Sequence, residues 1–199
     1  MVRWPASLRG TWRHAVAEAI ESALEQRIRR RIRDVPDFPQ PGILFKDITP
    51  VLSDPTLMRD VVGRLAELHG AGTIDVVAGI ESRGFIFGAP LALAIGAGFT
   101  PIRKPGKLPY RTLRVDYALE YGTDALEAHV DGIVEGQRVL IVDDLLATGG
   151  TAAGAMDLVR RLGGEVAGVS FVVELAFLAG RARLDGVSVH SIVSYDAGA

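Results

Sequence analysis

The sequence predicts an α/β domain built around a mostly parallel, twisted sheet flanked by helices. From residue 54 onward, short apolar runs alternate with amphipathic helical segments, the pattern of strand–helix units wound on one sheet. The run Val139-Leu140-Ile141-Val142 is apolar without alternation, as a strand buried on both faces must be. The 199 residues are 48% hydrophobic and 23% charged, an ordinary balance for one domain with a sizeable core.

At the N-terminus, Val16, Ile20, Leu24, Ile28 and Ile32 recur every four residues, so 14–33 reads as an amphipathic helix. Residues 1–33 hold eight Arg against three acids. A charge run of that kind is read as a solvated face without chemistry. Met1 to Ala17 has Arg and Trp but no acid, a faint likeness to a transit peptide. A plain extension over residues 1–26 is the favoured reading. Pro36, Pro39 and Pro41 then impose an extended segment over 37–42.

A helix should follow, with Asp54 as N-cap, Pro55 at the first helical position and Gly70 as its stop. Met58, Val61, Val62 and Leu65 mark its buried face. Asp75 to Ile80 is a strand, Phe85 to Ala97 a helix, and Phe99 to Arg103 a strand. Lys104 to Thr112 is a loop rich in Pro, Gly and basic residues. Leu113 to Leu119 and Asp124 to Val130 can pair across residues 120–123. Arg138 to Val142 is a strand, Gly150 to Leu162 a helix, and Val166 to Val173 and Val187 to Val193 are strands. No linker divides the chain.

Composition excludes several function classes. Twenty-two basic residues against 24 acidic ones leave a net charge of -2, so neither nucleic acid nor a membrane surface is an expected partner. Without cysteine there is no disulfide, Cys-based metal site or Cys nucleophile. No apolar run approaches the roughly 20 residues that span a bilayer, and a cytoplasmic location is expected. The four His are scattered without metal-ligand spacing.

The most informative stretch follows the buried strand: Asp143-Asp144-Leu145-Leu146-Ala147-Thr148-Gly149-Gly150-Thr151. Ligands bind at the carboxyl ends of strands in open parallel sheets. Gly149 and Gly150 let backbone approach a phosphate, and the following helix start offers unpaired N–H groups and a positive dipole. Thr148 and Thr151 add hydroxyl donors. Two carboxylates would repel a phosphate, so they suit sugar hydroxyls instead. No Lys follows the glycines, which excludes a Walker A loop. A phospho-receiver domain would carry its acidic pair after the first strand rather than here. A purely structural turn would leave two charges at a buried strand's end unexplained.

This segment resembles the phosphoribosyl-pyrophosphate motif of type I phosphoribosyltransferases, and in detail that of the family's adenine enzymes. Four further motifs match in the family's order, over residues 27–196. The resemblance implies the type I phosphoribosyltransferase fold over 27–199, with a small N-terminal hood at 36–50. Glu81-Ser82-Arg83-Gly84 matches the pyrophosphate loop, with Arg83 on the pyrophosphate and a non-proline cis peptide at Glu81–Ser82. Arg103 and Lys107 match the mobile loop's positive charges. Glu120 matches the carboxylate that acts on the base, and Tyr121 the aromatic that closes over the site. Phe45 would stack on adenine while backbone groups of Leu44 and Lys46 read its amino edge. Leu175 and Ala147 would be apolar walls, and Val172 to Ala176 lacks the Lys that 6-oxopurine enzymes carry there.

The implied reaction joins adenine to 5-phosphoribosyl 1-pyrophosphate, giving AMP and pyrophosphate, with Glu120, Arg83 and Lys107 catalytic. Mg2+ is the implied cofactor, held mainly by substrate and water, and a homodimer is the implied assembly. Two alternatives stay open: a transferase for another base, and a non-catalytic sensor of phosphoribosyl pyrophosphate.

Overall fold

A computed structural model describes residues 21–118 and 122–197. The chain forms two compact units, one ending at Val61 and one beginning at Val62. In the first, a helix (α1) runs over 21–31, and Leu24, Ile28 and Ile32 are buried, as their four-residue spacing requires. Residues 33–47 correct the expected extended segment. Arg33–Pro36 (β1) and Leu44–Asp47 (β2) pair antiparallel, with Arg33 opposite Asp47 and Pro36 opposite Leu44. The prolines sit at the end of β1 and in the connecting turn, where no ladder N–H is needed.

A short helix (α2, Thr49–Leu52), absent from the sequence reading, leads to α3 (Pro55–His69). Asp54 caps α3 as expected: its Oδ1 accepts from the N–H groups of Thr56 (3.1 Å) and Leu57 (3.0 Å). The most buried residues of α3 are Leu57, Val61 and Leu65 rather than Met58 and Val62. The helix is rotated slightly from the predicted face.

The second unit carries a five-stranded sheet of β3 (Val76–Ile80), β4 (Gly98–Ile102), β7 (Arg138–Leu146), β8 (Glu165–Leu175) and β9 (Val189–Tyr195). Its order is β4-β3-β7-β8-β9 and every pairing is parallel. Helix α4 (Arg83–Ile95) follows β3 and α5 (Gly150–Arg161) follows β7. β5 (Thr112–Ala118) and β6 (Thr123–His129) form a separate antiparallel hairpin. Tyr117, Leu126, Val139, Ile141, Ala155, Leu158 and Phe171 belong to one core cluster. The chain builds outward from β3 to β4, then from β7 through β8 to β9 on the other side. The strand order therefore reverses between β3 and β7, and their carboxyl ends flank the crevice where such sheets take ligands.

One polar cluster lies apart from that crevice. His69 Nε2 is 2.7 Å from Oγ of the fully buried Ser170, and the His69 and His190 rings meet edge to face at 5.3 Å. Burial, then the neighbouring His190, lowers the His69 pKa from 6.5 to about 4. Burial, then the charges of Arg181 and Arg64, also depresses His190. Both imidazoles thus bind protons more weakly folded than unfolded, so their contribution is complete above pH 6.5 and declines as pH falls toward 4. Melting temperature should drop through that window, and His69→Asn should flatten the drop.

Candidate active site

β7 does not stop at Val142. It continues through Asp143 and Asp144 to Leu146, because β8 keeps pairing alongside it: Asp143 lies opposite Phe171, and Leu145 opposite Val173. The carboxylates therefore stand on rigid strand rather than on a loop. The turn that follows reaches Gly149 at φ 81°, a left-handed conformation that glycine adopts without steric cost, and α5 begins at the next residue. On the other side of the crevice, β3 ends at Ile80 and the Glu81–Ser82 peptide is cis, where the resemblance placed it. A Cβ on Gly84 would approach the Val142 carbonyl oxygen to 2.5 Å, so α4 packs directly on the backbone of β7.

These segments enclose a cavity of about 450 Å³, lined by Glu81, Ser82, Arg83, Lys104, every residue from Asp143 to Ala152, and Phe171. That volume suits a small organic ligand. Among the expected residues, the structure gathers Arg83, Asp143, Asp144, Leu145, Leu146, Ala147, Thr148, Gly149, Gly150 and Thr151 on this wall. Arg103 and Lys107 do not line it but attach to Glu81, which does.

The cations and anions of the site are paired with each other. Arg83 Nε lies 2.7 Å from Asp144 Oδ2. Arg103 donates through Nε and Nη2 to the two Glu81 oxygens, both at 3.2 Å. The Lys104 N–H reaches Glu81 at 2.9 Å, and Lys107 Nζ stands 3.9 Å away. Burial pulls the Glu81 carboxyl upward, but the hydrogen bonds from Arg103 and Lys104 outweigh it and hold it below its ordinary value. Asp143 behaves oppositely. Burial, then the negative charge of adjacent Asp144, pushes its carboxyl well above the usual range.

Sequence reasoning missed Lys104. Its Nζ bonds the Tyr117 hydroxyl at 2.9 Å and pairs closely with Asp124, and the Tyr117 hydroxyl stands 3.4 Å from Thr151 Oγ1. The network ties the connection end of the β5–β6 hairpin to the first turn of α5. The basic loop is visible in sequence, but the resemblance points to Lys107 and no residue pattern marks Lys104.

Glu120 and Tyr121 fall outside the described residues. Leu175, at the end of β8, is half-buried and does not line the cavity, whereas Ala147 does. In the N-terminal unit, Leu44 is exposed, and Phe45 packs edge-on against Phe38 with ring centroids 5.2 Å apart. Lys46 is buried, with Nζ 2.9 Å from Asp34 Oδ1.

Comparison with known proteins agrees with this architecture. The family model for the phosphoribosyl transferase domain matches residues 49–196. The adenine phosphoribosyltransferase of Anaeromyxobacter dehalogenans is 58% identical over 168 residues, covering 84% of this chain and 98% of the relative. Among solved structures, adenine phosphoribosyltransferase from Thermoanaerobacter pseudethanolicus superposes with a TM-score of 0.82 at 53% identity, covering 85% and 99% of the two chains. The Saccharomyces cerevisiae enzyme, solved with an imino-altritol bisphosphate and adenine, gives 0.80 at 40% identity, covering 86% and 99%. On the strength of these matches and of the sheet they share, this chain belongs to the phosphoribosyl transferase domain family, within its adenine phosphoribosyltransferases.

Proposed function

We propose that this chain transfers the phosphoribosyl group of 5-phosphoribosyl 1-pyrophosphate to adenine, giving AMP and pyrophosphate, a step of purine salvage. The observation that carries the reading is the glycine turn at the end of β7. It sits beside two strand-borne carboxylates at the point where strand order reverses. The 5′-phosphate would lie on the backbone of Ala147 to Thr151, at the positive end of α5. Asp143 and Asp144 would accept from the ribose hydroxyls. Arg83, Arg103 and Lys107 would neutralise the pyrophosphate through charged hydrogen bonds.

As the C1′–O bond to pyrophosphate breaks, the electron pair leaves with pyrophosphate and positive charge builds on the ribose. Adenine N9 then forms the new bond at C1′, and its proton passes to Glu120. Closure of the 104–121 segment, Tyr121 included, would keep water from the activated sugar. For Phe45, Leu44, Lys46 and Leu175 the family resemblance supports contact with the base.

Among the described residues, no three His, Asp or Glu groups converge to hold a metal ion. Mg2+ would take its oxygens from pyrophosphate, ribose and water, the hard donors it prefers. Its chemistry there is neutralisation of the leaving group's charge.

A homodimer and a cytoplasmic setting belong to the same proposal. Ile86 (40% exposed) and Leu93 (85%) lie seven residues apart on one face of α4, and Phe99 of β4 (37%) is also open. An apolar face of this kind suits cover by a second copy. No helix among the described residues is long and apolar enough to cross a membrane.

The test is AMP formation from adenine and phosphoribosyl pyrophosphate, with and without Mg2+, beside hypoxanthine, guanine, xanthine and orotate. Adenine alone should give nucleotide, only with the metal, and a chain starting at residue 27 should retain the rate. Preference for another base, or no product at all, overturns the assignment.

A further inference from the structure

Two 3₁₀ turns, Ala176–Leu178 and Gly180–Arg183, carry the chain from β8 toward β9. No sequence pattern marked them, and the mechanism above does not use them. They lie directly behind the phosphate turn. A Cβ on Gly149 would collide with the carbonyl oxygen of Gly180 and stand 3.1 Å from its carbonyl carbon. Reciprocally, a Cβ on Gly180 would collide with the carbonyl oxygen of Ala147 and come within 3.0 Å of Leu146 Cδ1. The two backbones touch with no side chain between them.

The bracing segment is itself held. Arg181 donates from Nε and Nη2 to the two oxygens of Glu174, both at 2.7 Å, and from Nη1 to the Val189 carbonyl at 2.8 Å. Glu174 is buried and lies opposite Leu146 in the β7–β8 ladder. The guanidinium fork thus fixes the residue after Gly180 to the strand alongside the start of the turn. A planar, two-pronged contact fixes direction as well as distance.

We infer that Gly180, held by the Arg181–Glu174 pair, is a positioning residue that sets the shape of the 147–150 turn and thereby the affinity for the ribose-phosphate end of the substrate. The inference rests on the reading of that turn as the 5′-phosphate site. Gly180 touches no substrate. It acts through the carbonyl of Ala147 and the backbone of Gly149, which it supports from behind.

The experiment compares ribose 5-phosphate and pyrophosphate binding by calorimetry, in the full chain and in Gly180→Ala and Arg181→Lys. A displaced turn should weaken ribose 5-phosphate about tenfold to a hundredfold in Gly180→Ala. Pyrophosphate, held on the other side of the crevice, should change by less than about twofold. Arg181→Lys keeps the charge but loses the fork, and should weaken ribose 5-phosphate alone, by less. Equal loss for both ligands, or no loss in a folded variant, overturns the inference. Should Gly180→Ala fail to fold, the same comparison in Arg181→Lys decides it. A wild-type chain that makes no AMP yet binds ribose 5-phosphate, and loses it in Gly180→Ala, would refute the transferase reading and uphold the brace. Wild-type failure to bind ribose 5-phosphate refutes both.

Discussion

Glu120→Gln should lower turnover by about 10²–10⁴-fold while leaving both KM values within a few-fold, the scale of a lost general base. Glutamine keeps the size and hydrogen-bonding reach of the side chain but cannot take the N9 proton. Glu120 lies in the connection between β5 and β6. Next to that connection, Tyr117 and Asp124 are tied to Lys104 and, through the Tyr117 hydroxyl, to Thr151 of α5. The anchoring network survives the substitution, so the loss should fall on the chemical step. Single-turnover AMP formation would show it, with a carboxylate limb in the wild-type pH–rate profile that vanishes in the variant. A loss below tenfold would make Glu120 a positioning residue.

The double substitution Asp143→Asn, Asp144→Asn should raise the KM for phosphoribosyl pyrophosphate by about tenfold to a hundredfold for each charged hydrogen bond weakened. The KM for adenine should move little. Stability should not follow affinity. Asp143 already resists ionisation because burial and Asp144 oppose its charge, so a neutral amide removes a conflict from the folded state. Melting temperature should hold or rise, although Arg83 loses its charged partner at 2.7 Å. Thermal denaturation beside initial-rate kinetics separates the two effects. An unchanged KM in a folded double variant removes the ribose from this pair of carboxylates.

Much of this arrangement was legible before the structure. The apolar run before Asp143 could only be a doubly buried strand, and the acids, glycines and helix start after it left few chemistries open. The cap at Asp54 and the hairpin around residues 120–123 were written in local residue preferences. What escaped was set by pairing rather than by composition. β7 runs on through two carboxylates because β8 supplies the ladder beside them, and no intrinsic preference of Asp announces that. β1 and β2 are four residues each, and their prolines mask the strand signal. Residues 176–183 have no period to read, and their importance lies in a backbone contact with Ala147 and Gly149 far away in sequence. Glu81 was seen as part of a motif, but its hold on Arg103 and Lys104 exists only once β3 and β4 lie side by side.

Were pyrophosphate to bind at Arg83 and Arg103 as proposed, it would find both cations already paired, with Asp144 and Glu81. It must exchange places with carboxylates the chain already supplies. Its binding strength is then a difference between two sets of contacts, smaller than the attraction of naked cations would give. The same exchange would run in reverse as the leaving group departs, with the protein's own acids re-closing on their bases.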